Sequence, residues 1–313
     1  MKNTIVNVSL FGMPLDLGAE NLGVDVAPKI LRKRGITNKL KSSGLEILDK
    51  GDIEVFKKDN LKVGNKNLKY LDEIIRVSNE IARKVDLAIL EKNKVLAIGG
   101  DHAISLGTIS GASSALKGDL GVIYIDTHGD INTDKTTLSG NIHGMHVASI
   151  LGFGEKKLID IYKRGKKVKK ENIILAGGND FDLEEKKLIQ KEKIKAFTIT
   201  DLLAKGLNPL FKMIDDLNKK VNNIWVSLDL DAIDCVYAPG VGIPNTGGLT
   251  YREVSVISRY IGKNCNVVGV DLVEYNPLKD IDNKTAELSI ELCAKIFGRD
   301  YSPYTKYMDK NKL

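Results

Sequence analysis

Eight short apolar runs rich in β-branched residues punctuate the chain: Val6–Gly12, Leu45–Leu48, Val95–Ile98, Gly121–Ile125, Ile173–Ala176, Ala196–Ile199, Ile224–Leu230 and Val267–Leu272. Most are continuously apolar rather than alternating. That pattern predicts strands covered on both faces, as in a parallel sheet. Between them, apolar residues recur at helical spacing. The clearest helix is predicted over Leu68–Leu90, where Leu71, Ile75, Ser78, Ile81, Val85 and Ala88 trace one face. Others are predicted over Ile104–Leu116, Leu183–Lys191, Pro209–Lys220, Tyr251–Ile261 and Asn283–Ile296. Strand–helix alternation of this kind implies βαβ units: an α/β fold with one mainly parallel sheet and helices on both sides. No repeat and no Pro/Ser-rich linker interrupts it, so residues 1–313 read as a single domain.

Composition narrows the picture little. Apolar content of 42% and charged content of 28% suit a globular chain with a large core. The net charge of +6 owes much to Lys156–Lys170, a basic run interrupted by one aromatic, Tyr162. Without interleaved aromatics such a run reads as a solvated helix end and loop, so no nucleic-acid partner is expected. Three cysteines (Cys235, Cys265, Cys293) at long spacing argue against a disulfide framework or a thiolate zinc site. No secretory leader and no run long enough to span a bilayer stand out, which predicts a cytoplasmic protein without membrane association.

The candidate chemistry is concentrated. All four histidines fall between His102 and His146, in GGDH (Gly99–His102), DTHGD (Asp126–Asp130) and SGNIHGMH (Ser139–His146). A fourth segment, SLDLDAID (Ser227–Asp234), adds carboxylates. GGDH and DTHGD each follow a predicted strand and SLDLD closes one, so all three converge at the carboxyl edge of the sheet, where open α/β folds bind ligands. In extended chain, residues i, i+2 and i+4 face the same side. Asp126, His128 and Asp130 share that spacing, as do Asp229 and Asp231. With His102 they offer four carboxylates and two imidazoles, a set that balances two divalent cations. Oxygen-rich sites with some imidazole and no thiolate put Mn²⁺ ahead of Zn²⁺ or Cu²⁺. Paired cations lower the pKa of a shared water, which makes hydrolysis the natural reaction.

These segments, in this order, resemble the ureohydrolase family, and its arginases most. The likeness runs from FGMPLDLGAENLGVDVAPKILRKRG (Phe11–Gly35) through GGDHAISLGTISG and DTHGDINTDKTTLSGNIHGM to SLDLDAID, GGLTYREV and GVDLVEYNP. It implies a three-layer α/β/α sandwich and two Mn²⁺ per chain. One ion would be held by His102, Asp126, Asp130 and Asp229, the other by His128, Asp126, Asp229 and Asp231, with Asp126 and Asp229 shared. The implied reaction is hydrolysis of L-arginine to L-ornithine and urea by a hydroxide bridging the ions. Glu274 would hold the guanidinium, since charge-assisted forks are strong and directional. His143 would shuttle the proton to the departing amine, a task suited to imidazole. Asp130 would act beside them as ligand and catalytic carboxylate.

The resemblance also places Asn132, Ser139, Asn141, Asp182, Glu185 and Thr246 at the amino-acid end of the substrate. Agmatine or another guanidino or formimino compound is the alternative substrate. It implies a homotrimer or homohexamer. Four positions depart from the family pattern: Thr127 stands for Ala, His146 for Pro, Asn179 for Arg and Cys235 for Pro. His146 is expected to face solvent or to lie behind the ligands, rather than to serve as a spare ligand or second proton carrier. Cys235 is expected to be a small packed residue.

Overall fold

The computed structural model describes residues 6–300. Among them the strands are β1 (Val6–Met13), β2 (Leu45–Asp52), the two-residue β3 (Gly64–Asn65) and β4 (Leu68–Lys69), β5 (Lys94–Gly99), β6 (Gly121–Ile125), β7 (Ile173–Gly178), β8 (Lys195–Thr198), β9 (Ile224–Asp229) and β10 (Val267–Val273). The helices are α1 (Ala27–Lys33), α2 (Ile36–Ser42), α3 (Leu71–Leu90), α4 (Ser105–Ala115), α5 (His146–Leu151), α6 (Lys156–Ile159), α7 (Leu183–Glu192), α8 (Ile199–Lys205), α9 (Asn208–Asn218), α10 (Tyr251–Asn264) and α11 (Lys284–Ile296).

Eight strands form one sheet in the order β2-β1-β5-β10-β9-β6-β7-β8. Every pairing in it is parallel. The continuous apolar runs are explained by two cores, one on each face. Leu96 and Ile98 of β5, Ile123 and Ile125 of β6, and Val226 and Leu228 of β9 pack with α1, α2 and α8–α11. Their neighbours Val95, Ala97, Val122, Tyr124 and Trp225 pack on the other face with α3–α7. Alternation along each strand therefore sends apolar side chains into both layers, the three-layer α/β/α arrangement. At Gly269 of β10 a Cβ would come within 2.1 Å of the Trp225 ring, so only glycine lets this fully buried indole lie flat across the next strand.

Three local expectations shift. Leu68 and Lys69 pair with Asn65 and Gly64 instead of opening the long helix, and Tyr70 at φ +55° turns the chain into α3. The first buried apolar positions of α3 are then Ile74 and Val77 rather than Leu71 and Ile75, while Ser78, Ile81, Val85 and Ala88 are buried as expected. Ile199 begins α8 rather than ending β8, because Thr198 Oγ1 accepts from Asp201 N–H while the Asp201 carboxylate accepts from Thr198 N–H. In the basic run, Lys167 is buried: its ammonium donates to the carbonyls of Ile159 (2.6 Å), Gly165 (2.7 Å) and Lys163, and burial lowers its pKa to about 8. All three cysteines are free. No helix among the described residues is long and apolar enough to cross a membrane.

Candidate metal centre

The four central strands deliver the acidic and imidazole side chains to one edge. His102 follows β5, Glu274 follows β10, Asp229 ends β9 and Asp126 follows β6. Val273 pairs with Asp229 and Ile125 with Leu228, so the carboxylates of neighbouring strands come level. Before His102, a Cβ at Gly100 would stand 1.7 Å from the Leu15 carbonyl oxygen, so the chain can turn here only as glycine. Asp101 then accepts from the N–H groups of Gly18 (2.7 Å) and Ala103 (2.9 Å), locking the turn that aims His102. Asp130 (φ +47°) and Glu274 (φ +60°) both occupy the left-handed region. Such strain persists where surrounding structure over-determines it, often at functional sites.

All six expected ligands meet. His102 Nδ1 lies 2.9 Å from Asp229 Oδ2, 3.1 Å from Asp126 Oδ2 and 3.5 Å from Asp130 Oδ2. His128 Nδ1 lies 3.2 Å from Asp231 Oδ2 and 3.4 Å from Asp126 Oδ1. The donor atoms of His102, Asp126 and Asp229 lie within 4.8 Å of one another, and so do those of Asp126, His128 and Asp231. Asp126 thus belongs to both groups. Asp231 Oδ1 is buried without a hydrogen-bond partner among the described residues. An orphaned, buried carboxylate oxygen in a thiolate-free cluster of oxygen and nitrogen donors is what a hard divalent cation would satisfy.

Electrostatics agree. Burial, then repulsion from Asp231 and Asp126, holds Asp229 well above the usual carboxylate range. Burial and Asp126 raise Asp130 to about 7 and Asp231 to about 6. Asp126 itself stays low against the cost of burial, because His102 and His128 both face it. Clustered carboxylates of this kind call for positive charge.

Five further side chains support the centre, none of them among the expected site residues. The Tyr124 hydroxyl lies 2.5 Å from Asp126 Oδ2 and 2.6 Å from Asp130 Oδ2, and its single proton cannot serve both oxygens at once. Ser227 Oγ lies 2.8 Å from His102 Nε2, so the ring N–H can donate there and leave Nδ1 turned to the carboxylates. Behind it, Asp271 Oδ2 accepts from Ser105 (2.7 Å) and Thr108 (2.9 Å). Tyr124 and Ser227 each stand two residues before an aspartate on a strand, so the same period-two reasoning could have found them.

His143 and Glu274 complete the site. With His128, Asp130, Asp229, Asp231 and Ile243 they line a cavity of about 80 Å³. His143 Nδ1 is 3.3 Å from Glu274 Oε1, which also accepts from His102 N–H at 3.0 Å. Burial would push the His143 pKa down, but Glu274 outweighs it and holds it at about 9.

The residues expected at the far end of the substrate are more spread out. Asn132 donates to Asp182 Oδ2 (2.8 Å) and is buried, as is Asn141. Glu185 spends its oxygens on the backbone N–H groups of Ile131 (3.0 Å) and Asp182 (2.9 Å), and with Asp182 it caps α7. Ser139 is exposed and accepts from Asn141 N–H. Thr246 is exposed; its carbonyl accepts from Asn179, and its hydroxyl lies 3.8 Å from Cys235 Sγ. Buried Thr127 ties this loop down, since its hydroxyl meets the Asn245 amide and its carbonyl accepts from Asn179 N–H. His146 does not face solvent: its ring is fully buried against His102.

Comparison with known proteins agrees with this geometry. The sequence profile of the arginase family matches residues 6–298. The chain is 38% identical over 293 residues to an arginase of Brevibacillus brevis, covering 93% of this chain and 98% of the relative. It is similar to the solved arginase of Bacillus caldovelox (TM-score 0.90, 36% identity, 94% of this chain and 99% of that one). The arginase of Bacillus cereus is similar as well (TM-score 0.88, 36% identity, 95% and 100%). The chain is a hydrolase that belongs to the arginase family.

Proposed function

We propose that this chain is a manganese-dependent arginase that hydrolyses L-arginine to L-ornithine and urea, acting as a single ureohydrolase domain. The observation that carries the reading is one small cavity lined by the aspartate–imidazole cluster, Glu274 and His143. His102, Asp126, Asp130 and Asp229 would hold one Mn²⁺, and His128, Asp126, Asp229 and Asp231 the other. When bound, such a pair supplies Lewis acidity and a water of lowered pKa.

The chain's own groups do the rest. A guanidinium is planar, permanently charged and rich in N–H donors, so it needs a fixed carboxylate. Glu274 supplies one, pinned by His102 N–H at 3.0 Å. Asp130 would accept a hydrogen bond from the attacking water. His143, kept protonated by Glu274, gives its proton to the departing nitrogen. Asp182 would receive the α-amino group, steadied by Asn132 and by Glu185, while Asn132, Ser139 and Asn141 would serve the α-carboxylate and Thr246 the nearby loop. Urea release by the manganese-loaded protein from a panel of arginine, agmatine and guanidinobutyrate, with formamide assayed from formiminoglutamate, tests the reading; turnover of agmatine but not arginine would sink it. Assembly as a homotrimer or homohexamer belongs to the same proposal, and sedimentation analysis checks it.

A pH dependence follows from the raised carboxyls. Their folded pKa values exceed the unfolded ones. In metal-free protein their contribution to stability is therefore complete below the unfolded value and is lost as pH climbs through about 6 to 7. Cations bind the ionised forms and reverse that loss. The rise in Tm on adding Mn²⁺ is expected to be small at pH 5.5 and several degrees larger at pH 8, with protons released on binding. Thermal melts across this range check it; a pH-independent increment would contradict it.

A further inference from the structure

Among the described residues lining the cavity, Ile243 is the apolar one; the rest are acidic groups and imidazoles. It is also 44% exposed, so it stands where the cavity opens. A guanidino substrate carries a chain of methylenes behind its charged head. Pockets meet such chains with apolar walls, while a few polar groups fix the head.

Ile243 sits on a short arch laid across three strand ends. At one foot, Gly242 N–H donates to the Glu274 carbonyl (3.2 Å), and the Gly242 carbonyl accepts from Lys279 Nζ (2.6 Å) and the Asn21 amide (3.0 Å). At the other foot, the Asn245 carbonyl accepts from Cys235 N–H (2.9 Å), and the Asn245 side-chain amide donates to the Thr127 hydroxyl. Glu274 follows β10, Cys235 lies beyond β9 and Thr127 follows β6, and these strands are neighbours in the order β10-β9-β6. Ile243 and Pro244 are exposed between the feet, whereas Asn245 is half-buried and Thr127 buried. Thr127 stands between Asp126 and His128, where the family resemblance leads one to expect alanine. Alanine has no hydroxyl and could make no such tie.

We propose that Thr127 and Asn245 form a latch that holds Ile243 as the wall for the methylene chain of the guanidino substrate. The inference rests on the arginase reading above and adds a positioning pair to it. Neither latch residue lines the cavity, so opening the latch loosens the hold on the substrate's stem and leaves Glu274, His143 and the metal ligands in place. Losing a contact that substrate and transition state share raises KM and spares kcat.

The test compares the full-length, manganese-loaded wild type with Thr127→Ala, Thr127→Ser, Asn245→Ala, the double alanine variant and Ile243→Ala. Circular dichroism and elemental analysis check that each folds and holds its metal. Thr127→Ala and Asn245→Ala are each expected to raise KM for arginine, and the Ki of L-ornithine as product inhibitor, by roughly 3–10-fold, the worth of one hydrogen bond, with kcat and metal content held. Thr127→Ser keeps the hydroxyl and should keep the wild-type KM. The double variant should be no worse than either single one, because the two residues share one bond. Ile243→Ala should raise KM in the same way. If the wild type hydrolyses arginine and Thr127→Ala matches it in KM, the latch alone falls. A loss of metal or of kcat at unchanged KM would also overturn it, since Thr127 would then serve the ligands beside it. If the wild type hydrolyses no guanidino compound, the arginase reading falls and takes the latch with it.

Discussion

Asp126→Asn is expected to disable both halves of the metal centre at once. Asp126 is the carboxylate common to the His102–Asp126–Asp229 and Asp126–His128–Asp231 groups. Its Oδ2 faces His102 at 3.1 Å and its Oδ1 faces His128 at 3.4 Å, so one substitution weakens a ligand on each side. Asparagine keeps the shape and can still accept the His128 N–H that Asp126 Oδ1 now takes at 2.7 Å, so the turn should survive. What it removes is a negative charge where two cations would meet. Metal retained after desalting should fall from two ions per chain to fewer than one. kcat/KM for arginine should fall by about 10³-fold or more, equivalent to about 4 kcal/mol of transition-state stabilisation. Elemental analysis and steady-state kinetics check both; a variant that keeps its full metal complement would show that the two groups do not share this residue.

The parts of this molecule that were legible in its sequence are those governed by short periods. Continuous apolar runs marked the sheet strands, because parallel strands here bury both faces, as Ile123 and Tyr124 do on opposite sides of β6. The i, i+2 spacing of Asp126 and His128, and of Asp229 and Asp231, placed each pair on one side of a strand end; His128 does reach Asp126 at 3.4 Å, and Asp229 and Asp231 line one cavity. The less legible parts depend on contacts remote in sequence. Nothing in the local pattern told that Leu68 and Lys69 would pair with Gly64 and Asn65, or that Lys167 would turn inward to three carbonyls. His146 illustrates the same limit. The sequence leaves it either facing solvent or lying behind the ligands, and only its packing on His102 and Tyr124 selects the buried place.

The strained backbone ties the two strand ends into one device. Glu274 at φ +60° turns its carboxylate back toward the strand it neighbours, where His102 N–H and His143 both reach Oε1. Asp130 at φ +47° does the same for the segment after β6, bringing Oδ2 beside Tyr124 and His102. Neither residue gains these contacts in ordinary strand geometry. The cost, of order 1–3 kcal/mol for each such conformation, is offset only by the contacts made, and a cation would add to them.

Glu274→Gln separates substrate binding from metal binding. Glu274 lies outside the potential ligand groups among the described residues, so the glutamine variant should keep its full metal content. Glutamine can still accept from His102 N–H but no longer offers a charge to a guanidinium. Losing one partner of a buried, charge-assisted pair costs about 2–5 kcal/mol, so kcat/KM for arginine should fall by roughly 10²–10³-fold. The pH profile supplies a second readout. Burial alone lowers the His143 pKa, and the Glu274 charge at 3.3 Å is what outweighs burial and holds it at about 9. Without that charge only the weaker pull of Asp130 and Asp101 opposes burial, so His143 should lose its proton at a lower pH than in the wild type. The residual activity of Glu274→Gln should therefore decline with rising pH well before the wild type's does. If the two profiles fall together at high pH, Glu274 does not set the proton on His143, and the assignment of His143 as proton donor loses its support.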